Sequence, residues 1–143
     1  VSLHEFQNKV LDFHRLIGSH ENVPLIGHDD LYQFSVAIDA LAKEALRAFR
    51  ATNVAAFLRI HLVLEELAEF AEAVDQDNRL ELLDAYGDLL YVAFGIGVTY
   101  GVKHPTEVFN EIHRSNMTKQ NSGDPRAQEK GDEWTPPNLE PYV

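Results

Sequence analysis

Apolar residues recur along the chain at steps of three and four, the spacing of one helix face, and strand-type alternation is nearly absent. Leu3, Phe6, Val10, Phe13 and Ile17 form the first such stripe, with Ser2 as a candidate N-cap and Gly18 as a stop. The stretch from Ser19 to His28 carries Pro24 and Gly27 and reads as a loop. Asp29 or Asp30 is expected to cap a second helix whose apolar face is Leu31, Phe34, Ile38, Leu41, Ala45, Leu46 and Phe49. A break at Thr52-Asn53 opens a third helix running to about Val74. A short polar turn at 75–78 follows, and a fourth helix runs to about Tyr100. Gly101 ends that helix, and Pro105 suits the first turn of a fifth carrying Val108, Phe109 and Ile112.

From Gln120 the periodicity is lost. NSGDPRAQEKGDEW is polar and rich in helix breakers, and Pro136-Pro137 prevents a regular element. The expectation is one all-α domain over 1–143, with a helical core to about 119. An irregular tail over 120–143 is expected to order against a partner chain or ligand. The third and fourth helices should form an antiparallel hairpin at the centre of a helical bundle, because so few residues connect them.

Composition narrows the functions. The 143 residues carry a formal charge of −11, which repels a phosphate backbone and disfavours polynucleotide partners. His113, Arg114 and Lys119 form the only basic group, sized for one polyphosphate. The absence of cysteine excludes disulfides, thiolate metal sites and cysteine catalysis, and it favours the cytoplasm. Val1 to Lys9 lacks a signal-peptide pattern, and no uninterrupted apolar run reaches the ~18 residues that span a bilayer, so no membrane partner is expected.

The acid is not evenly spread. Glu65, Glu66, Glu69 and Glu72 lie among Phe57, Leu58, Ile60, Leu62, Val63, Leu64, Leu67 and Phe70. At ~100° per residue Glu65, Glu69 and Glu72 share a stripe, and Glu66 flanks it. Glu81, Asp84 and Asp88 share a stripe on the fourth helix, and Asp88 has almost only apolar neighbours. Folding the hairpin about Gln76 or Asp77 sets Glu69 level with Asp84 or Ala85, and Glu66 level with Gly87 or Asp88. Carboxylates brought that close repel or take up protons unless a cation joins them. A hard divalent ion, magnesium or manganese, suits an all-carboxylate donor set. A di-iron bundle would need Glu-x-x-His, which is absent: Glu111 and His113 are one residue too close, and His61 precedes the glutamates.

Three segments, Leu64-Glu65-Glu66-Leu67-Ala68-Glu69, Asp84-Ala85-Tyr86-Gly87-Asp88-Leu89-Leu90-Tyr91 and His113-Arg114-Ser115-Asn116-Met117-Thr118-Lys119, together resemble the MazG-like all-α nucleoside triphosphate pyrophosphohydrolases. That superfamily also holds dimeric dUTPases and phosphoribosyl-ATP pyrophosphohydrolases. Phe13-His14 and the Pro136-Pro137 tail look like one bacterial branch of it. The resemblance implies a homodimer or homotetramer that cleaves a nucleoside triphosphate to a monophosphate and pyrophosphate as nucleotide-pool house-cleaning. Phosphoribosyl-ATP hydrolysis ranks second, because HRSNMTK and the tail look more like the nucleotide-cleaning branch. A non-enzymatic helical metal-binding module is the third reading.

Carried over by position, Glu66 and Glu69 are implied metal ligands, with Glu65 in or beside the coordination sphere. Asp88 matches the final aspartate of the Glu-x-x-Asp motif. Ala85 stands where that motif has glutamate, so Asp84 is the natural replacement and Glu81 the next. Glu65 or Glu66 would take the proton of the attacking water. Arg114, Asn116 and Lys119 would contact substrate, with Lys130 a weaker candidate, and Tyr91 could reach a ligand carboxylate. His14, His61 and His113 read as structural or solvated, and Trp134 as a tail anchor or a base platform. Gly95-x-Gly97-x-x-x-Gly101 has no strand before it and reads as close helix packing.

Overall fold

The computed structural model describes residues 1–124 and 129–143. These contain five α-helices and one 3-10 turn, Glu140–Tyr142, and their only extended pairing is an isolated antiparallel bridge between Gln120 and Glu129. The chain divides into two compact units: Val1–Val23 with Val102–Val143, and Pro24–Gly101. Part of the segment read as irregular, 125–128, lies outside the described residues.

The first unit holds α1 (Leu3–Ile17) and α5 (Pro105–Asn116). Ser2 caps α1 by accepting the Glu5 N–H at 3.2 Å, and the Glu5 carboxylate returns to the Ser2 N–H, a reciprocal box. Gly18 ends α1 at φ +71°, a conformation that favours glycine. Phe6 packs on Phe109 with ring centroids 4.4 Å apart, and the Lys9 ammonium donates to Asn110, so the two helices are joined by apolar and polar contacts.

Residues 135–138 of the tail dock on its own α5, whereas a partner chain or ligand was expected to order the tail. The Arg114 guanidinium reaches the Thr135 hydroxyl and, at 2.9 Å, the Pro136 carbonyl. Ser115 Oγ donates to the Thr135 carbonyl at 2.8 Å, and the Asn138 N–H donates to Glu111 at 2.7 Å. A proline-rich segment with few backbone donors is here held by side chains.

The second unit is α2 (Asp29–Thr52), α3 (Ala55–Asp75) and α4 (Arg79–Tyr100). His28, not Asp29 or Asp30, caps α2, its Nδ1 accepting the Asp30 N–H at 3.2 Å. The two aspartates fall in the first turn, where the helix dipole favours negative charge. The face that α2 turns to α3 also differs from expectation. Phe34 and Leu41 are exposed, whereas Ser35 and Ala42 are buried. Small side chains let the helix backbones approach, and two hydrogen bonds exploit this. Ser35 Oγ donates to the Ala68 carbonyl at 3.0 Å, and His61 Nδ1 lies 2.7 Å from the Ala42 carbonyl. Moving seven residues forward on α2 moves the contact seven back on α3, the mark of antiparallel neighbours.

Helices α3 and α4 pack on each other across the Gln76–Asn78 connection, where Asp77 sits at φ +51° and Asn78 caps α4. Ala71, Ala73 and Ala85 are buried. A Cβ on Gly95 would lie 2.5 Å from the Arg59 guanidinium, so this glycine lets an arginine cross α4, in line with a packing role.

None of the described large side chains is fully buried, and α4 leaves Leu83, Tyr86, Tyr91, Phe94 and Val98 exposed. By length and composition alone, α4 is long and apolar enough to cross a bilayer. The expectation counted uninterrupted runs, whereas mean hydropathy tolerates Asp84 and Asp88 within the helix.

Candidate active site

The acidic residues of α3 and α4 gather on the second unit. Glu66 is half-buried, and its carboxyl is pushed up to about 7 by burial first, then by the charges of Glu69, Asp88 and Glu65. Its Oε2 is buried without a hydrogen-bond partner. Glu69 is exposed as a residue, yet the protein around its carboxyl raises it as well; Asp84 is the next cause, and a hydrogen bond with Glu66 opposes the shift. The strongest neighbour of Glu69 across the helices is therefore Asp84, while Asp88 acts on both glutamates.

Asp88 departs from its apolar surroundings in sequence. It is exposed on this chain, because the apolar flank of α4 is itself exposed. Ala85 is fully buried at 0% exposure, so the position of the motif glutamate is a packing position here, and Asp84 beside it stays exposed.

Two clefts border the acidic group. One of about 400 Å³ opens toward α2 and is lined by Tyr32, Asp39, Glu65, Glu69 and Glu72 among others. The other, about 470 Å³, lies at the turn end and is lined by Glu69, Glu72, Gln76, Asn78, Glu81 and Asp84. Glu81 thus shares a cleft with Asp84 and Glu69.

Among the described residues no three acidic or histidine side chains stand close enough to hold a metal ion as they are oriented. The chemistry of the donor set nevertheless fits a hard cation. The donors are all carboxylate, two of them are raised by burial and then by neighbouring charge, and one buried oxygen lacks a partner.

A family model described as phosphoribosyl-ATP pyrophosphohydrolase matches residues 31–116, which span α2, α3, α4 and α5. The chain belongs to this family. The family lies within the MazG-like nucleoside triphosphate pyrophosphohydrolase superfamily, and its members are hydrolases of phosphoanhydride bonds. An uncharacterized protein of Acanthamoeba polyphaga mimivirus is 47% identical over 45 residues, covering 32% of this chain and 18% of the viral one. No solved structure matches the chain.

Tyr91 is 80% exposed on α4. Arg114, Asn116 and Lys119 belong to the first unit. Arg114 is committed to Glu111 at 2.8 Å as well as to the tail, so within this chain it acts as a clamp. Asn116 is the half-buried last residue of α5, and the Lys119 ammonium sits 5.9 Å from the centre of the Phe13 ring. Lys130 stacks over Trp134 at 4.4 Å. His113 is lowered by burial, with Lys9 adding to the effect.

Sequence reading missed the α2 side of the site. Tyr32, Ser35 and Asp39 recur at three and four within an apolar stripe, which is a helical signal for a polar face. The bulk of Phe34 and Leu41 hid it. His61 was read as structural, yet its Nε2 lies 3.2 Å from Glu65 Oε1.

Proposed function

We propose that the chain is a magnesium- or manganese-dependent nucleoside triphosphate pyrophosphohydrolase, releasing a monophosphate and pyrophosphate. The observation that carries this is the Glu66–Glu69–Asp84–Asp88 group on a chain of this family, with Glu66 raised to about 7 by burial and like charge. Glu66, Glu69, Asp84 and Asp88 would hold the cation, and Glu81 is the reserve ligand. The bound ion would neutralise phosphoryl oxygens and lower the energy of the leaving pyrophosphate.

The chain's own part is then proton handling and placement. A water oxygen attacks the α-phosphorus, the bond from that phosphorus to the bridging oxygen breaks, and Glu65 takes the water's proton. The cleft toward α2 has room for a sugar and base beside that point, with Tyr32 offering an aromatic face. By the family resemblance alone, Asn116, Lys119 and Arg114 are proposed as phosphate contacts.

The antiparallel α3–α4 hairpin would be the core of a homodimer or homotetramer, because the exposed apolar residues of α4 need a cover. A second copy is favoured over a bilayer by Asp84 and Asp88, whose charges are costly in lipid. Cytoplasmic nucleotides are the expected substrates. Pyrophosphate release with Mg²⁺ and with Mn²⁺, across the eight common ribo- and deoxyribonucleoside triphosphates, dUTP and phosphoribosyl-ATP, tests the reading. No release from any of them defeats it, and release from phosphoribosyl-ATP alone would favour the reaction for which the family is described.

A further inference from the structure

His61 is the one buried histidine among the described residues, and the reaction above leaves it without a role. Its two ring nitrogens face two acceptors. Nδ1 lies 2.7 Å from the Ala42 carbonyl, which can only accept, so that nitrogen carries a proton. Nε2 lies 3.2 Å from Glu65 Oε1, one helical turn along α3, and that contact is attractive only with a proton between the two atoms. We propose that His61 is a positioning residue for Glu65, anchored on α2 through Ala42 and holding Oε1 so that Oε2 receives the proton of the attacking water.

The reason to hold this carboxylate lies in its exposure. The Glu65 side chain is 43% exposed, on the rim of the α2 cleft, whereas the His61 side chain is only 8% exposed and fixed at both ends. An untethered glutamate there samples many rotamers, and each unproductive one subtracts from turnover. A buried ring tied to a neighbouring backbone removes that freedom without contacting substrate. Spacing supports the same view: His61 and Glu65 are i and i+4 on α3, and Glu65 shares the α2 cleft with Glu69, so the held base stands beside a candidate cation ligand.

The role rests on the pyrophosphohydrolase reading, and two isosteric substitutions separate it from a purely structural link. His61→Asn keeps a donor at the Nδ1 position, toward Ala42, and loses the one toward Glu65. His61→Gln keeps a donor at the Nε2 position and loses the Ala42 link. With the full chain, Mg²⁺ and the best nucleotide of the panel, His61→Asn should melt within a few degrees of wild type. Its kcat should fall roughly tenfold to a hundredfold with KM changed little. His61→Gln should melt lower yet retain most of kcat. Wild-type kcat in His61→Asn, or activity that simply follows melting temperature in both variants, overturns the role.

A wild type that turns over nothing overturns the underlying reading instead. The contact is then still decided by the ring ¹⁵N–¹H spectrum near neutral pH. A His61 ring resonance that moves in Glu65→Ala is expected; a resonance that Glu65→Ala leaves in place overturns the proposal.

Discussion

Glu66 and Glu69 stand one turn apart on α3, and both carboxyl groups are raised, each by burial first and then by the charges around it. The Glu66 carboxyl, moved from 4.5 to about 7 by burial and neighbouring charge, is therefore mostly protonated in mildly acidic solution. An acid whose pKa is raised on folding stabilises the protein fully below its unfolded value and loses that contribution as pH rises through the folded value. Metal-free protein should thus melt progressively lower between pH 5 and pH 8, and Glu66→Gln should flatten that fall. Mg²⁺ should raise the melting temperature more at pH 8 than at pH 5, because it competes with the proton for the same oxygens. A metal-free melting temperature independent of pH across this window, in wild type as in Glu66→Gln, would remove the basis for the expectation.

Substitution of the facing acids should separate chemistry from folding. Glu69, Asp84 and Asp88 are exposed residues in a like-charged group, so replacing any one with alanine should leave metal-free stability equal or higher at pH 8. Pyrophosphate release should nonetheless drop by roughly a hundredfold or more in Glu69→Ala and Asp88→Ala, the scale of losing a group that acts on transition-state charge. Asp84→Ala decides whether Asp84 serves where Ala85 cannot. Near-normal release in Asp84→Ala, with loss in Glu81→Ala, would move the fourth ligand to Glu81. Circular dichroism on the same samples checks that the helices persist.

The helices, their order and most of their ends were legible because period and punctuation agree: Ser2, Gly18, Asn53, Gly101 and Pro105 each sit where a helix begins or stops. That the acids of α3 and α4 influence one another was legible too, since a short turn keeps the two helices adjacent. Burial was not. Phe34 and Leu41 sit outward because Ser35 and Ala42 permit closer approach, a choice made by tertiary packing and not by hydrophobicity. Asp88 looked buried by its neighbours' types, but those neighbours have no cover on this chain. The docking of the tail was hidden for another reason. It depends on Arg114, Glu111 and Ser115 meeting backbone atoms twenty or more residues away, and such polar pairing leaves no periodic trace.

Two glycines should respond oppositely to alanine. A Cβ on Gly27 would sit 2.5 Å from the Asp75 carbonyl oxygen, a contact between two backbone segments that neither side chain can relieve. Gly27→Ala should cost about 1–3 kcal/mol, the range of overpacking. Gly87 lies within α4 and a Cβ there meets nothing within 4 Å, so Gly87→Ala should gain up to about 1 kcal/mol by helix propensity. Urea unfolding of both variants at low protein concentration measures the pair. Equal destabilisation by the two would show that Gly87 is covered in solution, as a second copy on α4 would require.

The clamp between Glu111 and Arg114 gives the tail a distinct acid limit. Arg114 holds the Glu111 carboxyl down at about 2, and the Asn138 N–H adds to the effect. A carboxyl lowered on folding contributes fully above its ordinary value of 4.5 and loses that contribution as pH falls through about 2. Trp134, the only tryptophan, precedes Thr135, whose N–H and carbonyl are bound by Thr118 and Ser115, so its emission reports the docked tail. Emission should hold steady from pH 7 to about 4 and shift to the red only as pH approaches 2. Arg114→Ala removes the guanidinium that bridges Glu111, Thr135 and Pro136, and should red-shift Trp134 already at pH 7 while the far-ultraviolet helix signal stays. Limited proteolysis should then cut Arg114→Ala within 129–143 faster than wild type. An unchanged emission and cutting rate in Arg114→Ala would mean that Glu111, Ser115 and Thr118 hold the tail without the guanidinium, leaving it available to an anion.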